Sequence, residues 1–211
     1  MSEPIFEVSA KLLHAALPFA AKGDIRYYLN GIHIRQSGNG HTCIIEATNG
    51  HMMAILHDDN GALTGDPASV ILCRDVVAKL PKTGKILIYE DGSVTQFDPL
   101  KGSSNIRYEK ATIDGKFPNS AKVIPAADRL KPGVQTSTWN RQYFKDAWAL
   151  FPKLYKWDEV QVFQADDNGP VLLTNSAHDA IVIIMPMRGD PCYVSPAWCP
   201  VQKQGDGEAT A

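Results

Sequence analysis

The feature that most constrains this chain is a change of hydrophobic period at Ile25. Before it, the segment SAKLLHAALPFAAK (Ser9 to Lys22) sets Leu13, Leu17 and Ala20 on one helical face, with Ser9 as a candidate N-cap and Pro18 as a kink or stop. After it the period is two. Ile25, Tyr27 and Leu29 alternate, Asn30-Gly31 interrupts, and Ile32 with Ile34 resumes the run. Ser37-Gly38-Asn39-Gly40 then reads as a hairpin turn, Thr42 to Ala47 as the returning strand, Asn49-Gly50 as a second tight turn and Met52 to Leu56 as a further strand. The spacing predicts a short amphipathic helix followed by an antiparallel meander.

The same order recurs. Val70 to Leu72 has strand character, Arg74 to Leu80 reads as a helix ended by Pro81, and Lys85 to Tyr108 as strands turning at Asp91-Gly92 and Lys101-Gly102. Beyond a proline-containing passage from Pro118 to Pro132, Ser137 or Thr138 is placed to cap a helix whose Phe144, Trp148 and Phe151 share a face. Strands at Val160 to Gln164, Val171 to Thr174 and Ile181 to Met185 complete a third unit. The residues from Gly189 onward carry Pro191, Pro196, Pro200 and the polar GDGEATA, too little apolar area to offset the entropy of ordering. This predicts a partly disordered tail over 189–211.

With 211 residues, 44% of them hydrophobic, the chain has enough apolar surface for a sizeable core. A formal net charge of −2 supplies no global basic field, so contact with nucleic acid would need a locally basic face. Cys43, Cys73, Cys192 and Cys199 form no CxxC and no zinc-type spacing with histidine, and the first residues show no basic region followed by an apolar core. A reducing cytoplasm is the expected setting. The longest apolar run, AIVIIM from Ala180, is strand-sized, far short of the ~20 residues that span a bilayer, so no membrane partner is expected.

Signatures of catalysis are missing. There is no GxSxG, P-loop, HExxH or GxGxxG in a strand-to-helix setting. His51 lies beside a turn and His57-Asp58-Asp59 leads into the hairpin signal DDNG, so turn chemistry is favoured over metal binding there, and the paired acids Asp166-Asp167 precede Asn168-Gly169, where a solvated turn explains them. No catalytic residue, metal ion or cofactor is expected, and the chain reads as a non-enzyme.

Four stretches in order carry a resemblance: RYYLNG (Arg26 to Gly31), EATNGHMMAI (Glu46 to Ile55), IDGKFPNSAKVIP (Ile113 to Pro125) and VIIMPMR (Val182 to Arg188). With them the chain resembles the bacterial sliding clamp family, the beta subunit of DNA polymerase III, and looks like a shortened member of it. The resemblance implies an α+β fold of the DNA-clamp type, in which repeated helix-plus-sheet half-units put short helices around a hole for duplex DNA and sheets on the outer rim. Residues 1–125 resemble a complete clamp domain, the family's middle one. Residues 126–188 resemble the latter half of its last domain. The family's first domain and the front half of its third have no counterpart here.

What the resemblance implies for sites is specific. A pocket for polymerase and clamp-loader peptides is expected from Leu29, Thr48, Gly50, His51, Met52, Met53, Pro118, Val123, Ile183, Met185, Pro186, Met187 and Arg188. Methionines and aliphatics around a cleft suit the Leu and Phe side chains of a docking peptide. This sequence departs from the family at Met52, where arginine is common, and at Ser120, Ala121 and Lys122, where the family is more aromatic and arginine-rich. Arg26, Tyr27, Tyr28, Arg74, Lys79, Arg141 and Lys145 are the expected contacts to duplex DNA, sequence-independent and salt-sensitive, joined by Lys11, Lys22, Lys82 and Lys153. On periodicity alone Tyr27 and Tyr28 equally fit a strand edge, Met185 and Met187 the end of a core strand, and the lysines ordinary solvated faces.

The function these features imply is that of a sliding clamp-like processivity factor working as a homo-oligomer: if rings of the family hold about a dozen half-units, about four copies of a three-unit chain would close one. The alternative is a clamp-like module that keeps the peptide pocket without encircling DNA and competes for polymerase or loader tails. Trp198, in YVSPAW, could in either case fold back onto the apolar pocket.

Overall fold

The computed structural model describes residues 3–38, 40–64, 68–98, 102–132, 138–155, 159–166 and 169–187, with the backbone alone at 98 and 102–106. Predictions that concern Arg188, Lys101, Ser137, Cys192, Cys199 and the 189–211 tail with Trp198 lie outside these residues.

Alternation and turns produce strands where the sequence calls for them. β1 (Phe6–Ser9), β2 (Gly31–Gln36), β3 (Cys43–Thr48), β4 (Met52–Asp58), β5 (Ala62–Leu63), β6 (Ser69–Cys73), β7 (Lys85–Ile88), β8 (Val94–Asp98) and β9 (Gly102–Tyr108) precede β10 (Lys131–Pro132), β11 (Gln161–Gln164), β12 (Val171–Thr174) and β13 (Ala180–Ile184). They form a five-stranded sheet ordered β5-β1-β7-β8-β9 and an eight-stranded sheet ordered β10-β11-β12-β13-β4-β3-β2-β6. The strands β10 to β13 thus continue the sheet begun by β2, β3 and β4, through the antiparallel pair Ile183↔Met53 and its neighbours.

The helices are short: α1 (Ala10–Ala16), α2 (Arg74–Val77), α3 (Arg141–Trp148) and α4 (Phe151–Leu154). α1 packs on β3, β4 and α4, while α3 packs on β13 and α4, so these helices cover one face of the larger sheet. That face supplies Ile32, Ile34, Ile45, Ala54, Leu56 and Val182 to a core that also takes Leu13 from α1 and Phe6, Val8, Ile86 and Ile88 from the smaller sheet. Full burial of one such aliphatic side chain is worth about 1.5–3 kcal/mol, which is why helices of a turn or two survive here.

The alternate residues of the same strands point the other way. Met53, Ile55, Ile71 and Ile183 form a second, smaller cluster with Phe117, packed by Tyr28, Ile44, Ile113 and Ile124. Both faces of β4 are therefore covered, in keeping with its almost continuous apolar run.

Several expectations are corrected. The predicted alternation from Ile25 to Leu29 is not a strand: Ile25 is 97% exposed and Tyr27–Asn30 is a 3-10 turn. Side chains close this loop, since Asn30 Oδ1 accepts from the Asp24 amide at 2.9 Å and Asn30 Nδ2 donates to the Asp24 carbonyl at 2.8 Å. Ser9 ends β1, a strand the sequence reading missed, and makes no side-chain cap; its amide donates to Asp58 Oδ2 at 2.6 Å. The first helix stops at Ala16 and continues as a 3-10 turn, Leu17–Phe19, because Pro18 has no amide to donate. The second helix spans only Arg74–Val77 rather than reaching Leu80. In the third unit Asn140 is the cap, its Oδ1 accepting from the Gln142 amide at 2.8 Å, and Phe151 opens a separate helix while Trp148 stands 50% exposed.

Candidate functional site: an apolar cleft and a basic helix face

On the face of the large sheet opposite the helices lies a cleft of about 210 Å³. Its lining is Leu29, Thr48, Gly50, His51, Met52, Met53, Pro118, Val123, Ile183 and Met185, all expected from the sequence, together with Arg26 and Tyr28. Four separate stretches converge because β4 and β13 are neighbours, the 117–124 segment crosses the Met53–Ile55 face, and Tyr28 packs on the same cluster.

The turn at one end is rigid. Asn49 Oδ1 accepts from the amides of His51 at 2.9 Å and Met52 at 3.0 Å. Thr48 Oγ1 donates to the Met52 carbonyl at 2.8 Å and accepts from the Gly50 amide at 3.0 Å. Gly50 holds φ of +88°, a region that a side chain rarely adopts. The His51 carbonyl takes the Met185 amide at 2.9 Å, fixing the end of β13, and the His51 ring stacks on Tyr143 of α3 at 5.8 Å. Met185 remains 43% exposed, an unbranched thioether able to adapt to what enters.

The opposite wall is anchored by a charge that sequence reasoning missed. Glu46, on β3, is 1% exposed and receives His33 Nδ1 at 2.9 Å, Arg35 Nη2 at 2.9 Å and Ser120 Oγ at 2.6 Å. Burial alone would push its pKa up, but these hydrogen bonds and the Arg35 charge hold the carboxyl down to about 2. Phe117 stacks on the His33 ring at 4.7 Å, so the same network seats the segment that carries Pro118 and Val123. The only signal for it in the sequence is the placement of His33, Arg35 and Glu46 on alternating positions of adjacent strands.

Arg26, Tyr27 and Tyr28 were assigned to DNA with the helix cations, and the structure sets them apart from those cations. Tyr28 is a wall of the cleft and Arg26 lies over Gly50, where an added Cβ would come within 3.0 Å of its Nη2. Arg26 also donates to Asp24 from Nε at 3.0 Å and Nη2 at 2.8 Å, and that bond from Arg26 holds the Asp24 carboxyl down to about 2. Pro186 and Met187 do not line the cleft; Met187 instead pairs with Thr138.

A second concavity lies among the helices. Lys11, His14, Leu17, Pro18, Arg74, Lys82 and Lys153 line a groove of about 690 Å³ between α1, α2 and α4. Not every cation there is free to meet a ligand: Arg74 Nη1 donates to the carbonyls of Leu17 and, at 2.8 Å, Ala20, and Lys11 Nζ donates to the Leu154 carbonyl at 2.8 Å. Lys79, Arg141, Lys145 and Lys22 are exposed but do not line the groove. Among the described residues no cluster of three or more His, Cys, Asp or Glu is placed to hold a metal ion, and no helix is long and apolar enough to cross a membrane.

Short helices on one face of antiparallel sheets, with an apolar cleft on the other, make an α+β architecture of the DNA-clamp fold class. The comparisons agree. The Pseudomonas aeruginosa beta sliding clamp is 31% identical to the chain over 137 residues, covering 61% of the chain and 34% of that protein. A Pseudomonas putida beta sliding clamp is 27% identical over 133 residues, with the same coverage of 61% and 34%. Among solved structures, the crystal structure of the DNA polymerase sliding clamp from P. aeruginosa with ligand superposes with a TM-score of 0.67 at 18% identity, over 87% of this chain and 66% of that one. No family model matches. The chain is a clamp-like relative of the bacterial beta sliding clamps and shares their α+β fold, and it spans about a third of the length of the curated relatives it matches.

Proposed function

We propose that the chain is a DNA sliding clamp-like processivity factor: a non-catalytic scaffold that grips duplex DNA by its helix face and docks polymerase or clamp-loader peptides in the apolar cleft. The observation that carries this reading is the two-sidedness of one sheet, with a basic groove among its helices and a methionine-lined cleft on its reverse. A partner held on the reverse would leave the helix side open to DNA. Lys82 and Lys153, with Lys79, Arg141 and Lys145, are the phosphate contacts in this proposal, and Tyr27 and Tyr28 would reach DNA only from the rim of the cleft. The division into a complete domain over 1–125 and a partial one over 126–188 would give three half-units per chain, so that about four copies close a ring.

The test is native molar mass by light scattering coupled to size exclusion over a range of concentrations, followed by retention on circular against linear DNA. A closed stoichiometry that persists on dilution, with loss from linear DNA only, is the expected result. A monomer at every concentration overturns encirclement. A second reading rests on the cleft being lined within a single chain: a clamp-like module that binds the same peptides without a ring and competes for polymerase or loader tails. It predicts peptide binding that is indifferent to charge reversal on the helices.

A further inference from the structure

Beside the cleft, and sharing Tyr28 and Pro118 with it, is a hollow of about 650 Å³ lined also by Tyr27, Lys116, Phe117, Asn119 and Lys122. We propose that this hollow is a specificity annex that takes acidic residues flanking the apolar segment docked in the cleft. The inference rests on the reading of the cleft as a peptide site and adds the chemistry of what that peptide carries.

Charge is the first argument. The lining holds two ammonium groups and no carboxylate, on a chain whose formal net charge is −2. Elsewhere the cations of this face are matched at close range: Arg26 with Asp24 at 2.8 Å and Arg35 with Glu46 at 2.9 Å. Lys116 and Lys122 are exposed and make no ion pair among the described residues. An unmatched pair of this kind, at the mouth of an apolar cleft, favours a carboxylate and disfavours a basic flank.

Preorganisation is the second. The Tyr27 and Tyr28 rings meet edge to face at 5.8 Å and 73°, and both line the hollow. Gly115 lets the backbone run against them, since a Cβ there would stand 3.1 Å from Tyr28 Cβ and 3.3 Å from Tyr27 Cε2. Lys122 is the last residue of the 3-10 turn capped by Asn119, whose Oδ1 accepts from the Ala121 amide at 3.0 Å, and Ser120 in that turn is bonded to buried Glu46. Both lysines therefore rise from backbone that is already held in place.

The experiment uses the full chain and fluorescein-labelled peptides that share a Leu-Phe core, flanked on one side or the other by two Asp or, as controls, by two Ser. At low salt an Asp-flanked peptide should bind about five- to tenfold tighter than its Ser control, and the gain should fade as salt screens it. In K116S/K122S the gain should vanish while the Ser-flanked affinity holds, and K116R/K122R should keep the gain. Equal binding of Asp- and Ser-flanked peptides to the native chain overturns the annex and leaves the cleft reading standing. A gain that survives in K116S/K122S, or is lost in K116R/K122R, overturns it as well. Failure of the Ser-flanked controls to bind the native chain overturns the cleft reading and the annex with it.

Discussion

Ser120 Oγ donates to Glu46 Oε1 at 2.6 Å across 74 positions of sequence, and this buried bond ties a wall of the cleft to the middle of the large sheet. Ser120→Ala should cost about 1–2 kcal/mol in denaturant unfolding, because Glu46 keeps its other donors. Glu46→Gln should cost about 3 kcal/mol, since it leaves His33, Arg35 and Ser120 facing a neutral amide. The two variants should weaken peptide binding together, and a double-mutant cycle should show them coupled.

The same carboxyl sets an acid limit. A group whose folded pKa is depressed, here to about 2, contributes stability that is fully present above its unfolded value of ~4.3 and is lost as pH falls through about 2. The stability gap between the native chain and Glu46→Gln should therefore be constant at neutral pH and shrink steadily below pH ~4. A gap that does not change with acidification would count against this assignment.

Met185 is exposed and lies at the lip of the cleft, so Met185→Asp should leave the melting temperature within a degree or two while reducing peptide affinity at least ~tenfold, about 1.4 kcal/mol. Met53, 5% exposed beneath it, should behave differently: Met53→Ala should lower stability by about 2–3 kcal/mol as well as weaken binding. The contrast separates contact from support.

Much of this arrangement was legible from residue patterns. Alternation located β2 to within a residue or two, because a half-buried strand leaves a period of two, while β3 and β4 were bounded by the Asn49-Gly50 turn and their apolar runs. The cleft residues came from the resemblance, and ten of the expected set line it. β1 was missed because four residues carry too little period to separate from the helix that follows. Ile25, Tyr27 and Leu29 were misread because apolar alternation cannot register the Asp24–Asn30 side-chain bonds that hold the loop. The pairing of β13 with β4 and the charge network at Glu46 are tertiary facts, fixed by which strands meet rather than by any local signal.

Helix-face cations should act through phosphates. Lys82→Glu and Lys153→Glu change exposed groups of the basic groove and should each lower DNA affinity, with the slope of log K against log salt reduced by about 0.9 for every phosphate contact removed. Arg74→Glu is a poorer probe. It removes the donor to the Leu17 and Ala20 carbonyls, so a loss of stability should accompany any loss of binding. DNA affinity unchanged in both lysine variants would remove the groove from the proposed contact surface.

Two glycines should separate strain from close approach. Gly50→Ala puts a methyl at φ +88° and about 3.0 Å from the flexible Arg26 guanidinium, which can move aside. The expected cost is about 1–2 kcal/mol, from backbone strain, with peptide affinity lowered because the turn at the cleft shifts. Gly31 has an ordinary extended φ of −138°, yet a Cβ there would meet the Leu72 carbonyl at 2.7 Å and Ile71 Cγ2 at 2.4 Å. A backbone oxygen cannot swing away as a guanidinium can. Gly31→Ala should therefore be the more damaging, at about 2–3 kcal/mol, by forcing β2 and β6 apart where they pair at Gly31↔Cys73. Unfolding midpoints for the two variants, with the pairing checked by amide hydrogen exchange on β6, decide it. A larger loss in Gly50→Ala would mean that strain at the turn outweighs the contact between strands.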